Sequence, residues 1–139
     1  MVVAYIDGGA RGNPGPAGYG AFIQSADGNV VAELHGAVGI ATNNVAEYNG
    51  LLAALQWAID QNIRRLHIRA DSELLVRQMR GEYKVRNAGL QPLYVRARLL
   101  TAQLDEVKFE HVGREFNKDA DRLSNLGMDE AEAQLKKDC

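Results

Sequence analysis

Cysteine is almost missing from this chain: one occurs, Cys139, at the last of 139 positions. A lone thiol closes no intrachain disulfide, and at a chain end it is expected on a frayed tail. Such usage suits a reducing compartment, so a cytoplasmic setting is expected. Long hydrophobic runs are lacking too. The longest apolar stretch, Gly50 to Leu55, ends at Gln56, far short of the roughly 20 residues that span a bilayer. The opening, MVVAYIDGG, has no basic region followed by an apolar core, so structure rather than a secretory leader is expected from the start. Excess positive charge is also lacking. A formal net charge of −2 argues against gripping nucleic acid by overall charge.

Several catalytic signatures are absent. No Gly-x-x-x-x-Gly-Lys-Ser/Thr phosphate loop occurs, the early glycines miss the dinucleotide spacing, and there is no Gly-x-Ser-x-Gly elbow. His35, His67 and His111 stand singly, without paired ligand spacing, and each reads as a surface or packed strand residue. What remains is 46% hydrophobic and 24% charged, the composition of a soluble globular protein. One domain over residues 1–139 is expected, without linker, repeat or low-complexity segment. A monomer is expected, since no long exposed apolar stripe stands out.

Charge is unevenly spread. Arg77, Arg80, Lys84, Arg86, Arg96 and Arg98 fall within one stretch against only Glu82, while Asp129, Glu130, Glu132 and Asp138 gather near the C-terminus. Such a basic face can meet phosphates, although a solvated helix face is its ordinary reading.

Periodicity predicts strands over Val2–Asp7, Gly20–Ser25 and Val30–Ala37, the last two joined by a turn at Asp27-Gly28-Asn29. The Gly- and Pro-rich segment Asp7–Gly18 reads as loop. Helices are predicted over Thr42–Gln61, Ser72–Arg80, Pro92–Leu104 and from Asn117 onward, with strands over Leu66–Ala70 and Val107–Val112. Asn44 and Glu47 resemble a capping box, and Gly127 is expected to bend or break the last helix. The fold class is α/β: a five-stranded mixed sheet, its first three strands antiparallel, flanked by helices.

Carboxylates stand in unusual places. Asp7 closes the first strand and Asp71 the fourth, and strand ends are where such sheets meet ligands. Counting back by fours from Ile59 gives Leu55, Leu51 and Glu47, which puts a carboxylate on the stripe facing the core. A carboxylate there must be paired, hydrogen-bonded, protonated or bound to a cation. Each acid has a plainer reading: a capping partner for Glu47, a helix cap for Asp71, a turn acid for Asp7. Asp119 and Asp121 both open the last helix, where acids suit the dipole, and spacing does not choose between them.

These residues carry a resemblance. Ile6-Asp7-Gly8-Gly9 with Gly12-Asn13-Pro14-Gly15-Pro16-Ala17-Gly18-Tyr19-Gly20 resembles the opening of type 1 ribonucleases H. Thr42-Asn43-Asn44-Val45-Ala46-Glu47-Tyr48, Ala70-Asp71-Ser72 and Asn117-x-x-Ala120-Asp121-x-Leu123 are similar to that family's later motifs, in the same order. The resemblance implies a ribonuclease H-like fold and hydrolysis of the RNA strand of RNA–DNA hybrids. It implies that Asp7, Glu47, Asp71 and Asp121 hold two magnesium or manganese ions, selecting Asp121 over Asp119, and that products carry 5′-phosphate and 3′-hydroxyl ends. It further implies that Asn13, Asn43 and Asn44 read RNA 2′-hydroxyls and that Thr42 meets a DNA phosphate, the 2′-hydroxyl being what separates RNA from DNA.

The chain departs from the family in places. Between Val112 and Asn117 the segment is short, and Gly113-Arg114-Glu115 holds no histidine, where many relatives carry a catalytic one. Arg114 is the candidate there, acting by charge or hydrogen bonding because arginine cannot shuttle a proton at neutral pH. Glu73 stands where relatives often use glutamine, and Val45 where some use arginine. No Trp- and Lys-rich handle lies between Gly81 and Pro92, Lys84 and Arg86 being modest substitutes, and no separate hybrid-binding domain is expected. The pattern is nearest the handle-less bacterial and archaeal branch. The competing readings are another nuclease of the same fold, integrase- or resolvase-like, and a module that holds hybrids without cutting.

Overall fold

The computed structural model describes residues 1–137; Asp138 and the expected frayed position of Cys139 lie outside the described residues. Strands β1 (Val2–Ala10), β2 (Gly15–Gln24) and β3 (Val30–Ala41) come first, followed by helix α1 (Asn43–Asp60) and strand β4 (Arg65–Ala70). Helices α2 (Glu73–Met79) and α3 (Gln91–Thr101), strand β5 (Glu106–His111), a 3-10 turn (Arg114–Phe116) and helix α4 (Lys118–Lys137) complete the order. The sheet runs β3-β2-β1-β4-β5, antiparallel across β1–β2 and β2–β3 and parallel across β1–β4 and β4–β5. The expected mixed sheet is therefore present, with β1 at its centre.

Helix α1 buries Leu51, Leu55, Ala54 and Ala58 against Ala4, Ile6, Leu66 and Ile68 of the sheet. Its start departs from the expected capping box. Thr42 is the N-cap, extended at φ −87° and ψ 165°, and its Oγ1 accepts from the Val45 amide at 3.3 Å. Glu47 thus lies beyond the third helical position, too far along to bond back to the cap, and its carboxylate is left for another purpose.

The largest correction concerns Asp7–Gly18, expected as loop. The strands run to Ala10 and resume at Gly15, so only residues 11–14 connect them. Glycine here serves close approach rather than turning. A Cβ on Gly8 would collide with the Ala46–Glu47 backbone of α1, and one on Gly18 with the Gly127–Met128 backbone of α4. A Cβ on Gly20 would stand 2.5 Å from Ala120 O and 2.6 Å from Leu123 Cβ. Gly127 is the matching half of this contact, and α4 continues through it without a break. Two helices are thereby pressed onto the strands that carry Asp7.

Strand β3 also outruns its expected end at Ala37, reaching Ala41 past a register shift at Ala17/Gly18, with Gly39 at φ 84°. Helix α3 is slightly shorter than expected, ending at Thr101.

Gly18→Ala should destabilise the fold by about 3 kcal/mol, the upper end of the overpacking range, because backbone rather than a flexible side chain blocks the methyl. Gly28→Ala, at φ 89° with open space around it, should cost only the ~1–2 kcal/mol of a left-handed residue. Denaturant midpoints of the two variants check the ordering; equal losses would contradict the close-approach role.

Candidate active site

Parallel pairing brings the first two acids together. Ile6 of β1 lies opposite Ala70 of β4, so Asp7 and Asp71, each the next residue, emerge side by side at the same ends of adjacent strands. Pleating turns Gly8 toward α1 while Gly9 meets Met128 of α4. The missing side chain at Gly8 admits the α1 backbone at Ala46–Glu47, and a Cβ on Gly50 would stand 2.8 Å from the Asp7 carbonyl oxygen. Glu47 is carried to the same strand end by that contact. Asp121 arrives from the first turns of α4, held down at Gly20 and Gly18.

The four acids line one cleft of about 490 Å³ together with Gly8, Asn43, Ser72, Arg114, Lys118 and Ser124. Asp119, the rival for the fourth position, lies elsewhere, beside Tyr5 and Phe116, and is 3.6 Å from Arg122. Among the described residues, no three acidic, histidine or cysteine side chains stand close enough together to hold a metal ion. Uncompensated carboxylates that share a cleft repel one another.

Their protonation records that repulsion. Asp7 is pushed up to about 8, first by burial and then by Asp71, with smaller contributions from Asp121 and Glu47; the Gly8 amide, donating at 2.9 Å, opposes the shift. Glu47 is pushed up to about 7, chiefly by burial and also by Asp71, while a Ser72 hydrogen bond and the Arg114 charge pull it down. Asp7 and Glu47 therefore hold their protons well above the usual carboxylate range, and perturbed carboxyls of this kind cluster at functional sites.

The residues expected to read substrate lie around the N-terminus of α1. Asn43 Oδ1 accepts from the Ala10 amide at 2.8 Å, and the Asn43 amide donates to Asn13 Oδ1 at 3.0 Å. Both asparagine carbonyls are thus committed to backbone, which orients the two side-chain NH₂ groups (assigned from this network) as donors. Thr42, Asn13 and Asn44 are exposed, and Asn43 also lines the acidic cleft. Arg114 is exposed at the cleft wall.

Three residues escaped the sequence reading. Ser72 caps α2, accepting from the Leu75 amide at 3.2 Å, and also hydrogen-bonds Glu47; only the first role is visible in a linear string. Lys118 lines the cleft at the start of α4, where a helix dipole disfavours a cation. That misplaced charge was a legible signal. Asn117, read only as part of a motif, is buried, with its Nδ2 donating to the Ile6 carbonyl at 2.9 Å.

Of the basic cluster, half is spent internally. Arg77 pairs with Glu73 at 2.8 Å, Arg80 donates to Phe109 O and Arg98 to Met79 O. Lys84, Arg86 and Arg96 remain exposed. Among the described residues no helix is long and apolar enough to cross a membrane.

Residues 5–127 match the family model described as reverse transcriptase-like. A bifunctional protein of Mycobacterium tuberculosis is 49% identical over 131 residues, 94% of this chain but 36% of that protein, so this chain spans about a third of its length. The N-terminal ribonuclease H domain of that protein superposes with a TM-score of 0.92 at 47% identity, covering 96% of this chain and 97% of the domain structure. Ribonuclease HI of Halobacterium salinarum is 43% identical over 130 residues, 94% of this chain and 65% of that protein. LC11 ribonuclease H1, solved in complex with an RNA/DNA hybrid, gives a TM-score of 0.88 at 39% identity over 94% of this chain and 99% of that one. Sheet order, motif order and these likenesses agree: the chain belongs to the ribonuclease H family.

Proposed function

We propose that this chain is an endonuclease that hydrolyses the RNA strand of RNA–DNA hybrids, with two Mg²⁺ or Mn²⁺ ions held by Asp7, Glu47, Asp71 and Asp121. One observation carries the reading: four carboxylates from distant segments share a cleft in which burial and mutual repulsion push Asp7 up to about 8 and Glu47 up to about 7. The residues fit the ions, because the donors are all oxygen, as hard divalent cations prefer. Such ions, held by these four carboxylates, would lower the pKa of water and offset charge on the departing 3′-oxygen, chemistry that would leave 5′-phosphate and 3′-hydroxyl ends.

The protein's own residues do the rest. Asn13 and Asn43, their carbonyls held by backbone amides, present NH₂ donors to 2′-hydroxyl oxygens of the RNA strand, with exposed Asn44 beside them. Thr42 Oγ1 accepts from Val45 and keeps its own proton to donate to a DNA phosphate. Arg114, which already lowers the Glu47 carboxyl through its charge, stabilises negative charge on the phosphate being cleaved. Lys84, Arg86 and Arg96 supply the outer phosphate contacts. Glu73, accepting only and turned to Arg77, contributes none.

Strand-labelled hybrid incubated with Mg²⁺, beside a matched DNA duplex, should be cut in its RNA strand alone. DNA cleavage would indicate an integrase- or resolvase-like nuclease, and binding without products a hybrid-holding module. Arg114→Ala should lower kcat about a hundredfold, the scale for one lost stabiliser of transition-state charge, with the melting temperature unmoved because the side chain is exposed. Unchanged turnover would remove Arg114 from the mechanism. With three exposed cations at phosphates, hybrid affinity should fall with salt at a log–log slope of about −2 to −3; a flat response would contradict those contacts.

Stability should carry the same signature. Without metal, folded Asp7 and Glu47 keep protons that the unfolded chain releases at about pH 4. Folding therefore takes up protons across that window, and metal-free stability is highest at its acid end and falls as pH rises through 7 and 8. Thermal melts should show Mg²⁺ raising Tm strongly at pH 8 and little at pH 5. Equal metal shifts at both pH values would contradict the assignment.

A further inference from the structure

Asn117, between the 3-10 turn and α4, is one of three buried polar residues among the described residues and is 1% exposed. Its Nδ2 donates to the Ile6 carbonyl at 2.9 Å, one residue before Asp7. Its own carbonyl accepts the Asp121 amide at 3.0 Å. A single residue thus joins the backbone that carries Asp7 to the helical turn that carries Asp121. Its Oδ1 is buried and has no protein partner among the described residues, an arrangement that costs stability. An apolar side chain of similar size would avoid that cost, so packing alone does not explain an amide here.

We propose that Asn117 is the positioning residue for Asp121: the hydrogen bond from its side chain to Ile6 pins the start of α4 to β1 and sets where the Asp121 carboxylate stands relative to Asp7. The consequence for metal rests on the reading proposed above. The tether is needed because Asp121 is exposed and lies in the frayable first turn of α4, where helices hold their residues least firmly. Gly20 receives α4 at Ala120, Leu123 and Ser124 and Gly18 receives it at Gly127–Met128, both on β2, while Asn117 ties the start of the helix to β1, the strand that carries Asp7.

Two variants that lack the donor bracket the packing error. Asn117→Ala adds no bulk and Asn117→Leu leaves little cavity. In metal-free protein, amide hydrogen exchange should accelerate at Asp121 by at least about tenfold, while amides from Leu123 to Met128 keep their protection. Manganese titrated calorimetrically should bind about ten- to a hundredfold more weakly, the range for partners that orient a metal's ligands. That loss should vanish when Asp121→Asn is already present, because the tether acts through Asp121. Retained protection at Asp121 in a cooperatively melting variant would overturn the proposal, as would an equal loss of manganese affinity in both backgrounds. Should the unaltered protein bind no manganese, the metal assignment falls, and the exchange result still decides whether Asn117 holds the turn.

Discussion

Everything at this site depends on how near two helices come to two strands. Strand β1 cannot bring four carboxylates together alone; it carries one. Asp71 comes beside it by the pairing of β4, and Glu47 and Asp121 reach it because α1 rests on Gly8 and α4 on Gly18 and Gly20, at points where any side chain would drive the backbones apart. Close backbone approach is rigid in a way side-chain packing is not, since it leaves no rotamer to adjust. Glu47 and Asp121 are delivered to the end of β1 by contacts that tolerate no added atom.

Electrostatics works against that geometry. Packing gathers and buries the acids, and burial first and neighbouring charge second push Asp7 up to about 8 and Glu47 up to about 7. Nearby cations soften the conflict without ending it. Arg114 and Lys118 stand at the wall of the cleft, and Ser72 hydrogen-bonds Glu47. A site left so short of positive charge has room for divalent ions. Under the proposed function, substrate phosphates, negative themselves, would gain from the same ions.

Much of this was legible before any coordinates. Leu51, Leu55 and Ile59 mark the buried stripe of α1, and counting back along it finds Glu47 where no ordinary carboxylate belongs. The endings of β1 and β4 place Asp7 and Asp71, and the turn at Asp27-Gly28-Asn29 gives the hairpin. The glycines were misread, because a linear string cannot tell a glycine that turns from one that admits a neighbour; that difference lies in what packs against it, far away in sequence. Asn44 and Glu47 fitted a capping box until Thr42 took the cap. Asn117 and Ser72 were hidden for the same reason as the glycines, their roles being set by partners in other segments, whereas Lys118 showed itself as a cation at a helix start. Spacing did not separate Asp121 from Asp119, whereas the tilt of α4 on β2 sends one into the cleft and the other to Arg122.

The central claim is that these four carboxylates form one cation-binding centre. Anomalous scattering from crystals grown with manganese and an RNA–DNA hybrid tests it most directly. Two manganese peaks about 4 Å apart, coordinated by oxygens of Asp7, Glu47, Asp71 and Asp121 at the scissile phosphate, are expected. A cleft without manganese while hybrid is bound, its acids still apart, would contradict the claim.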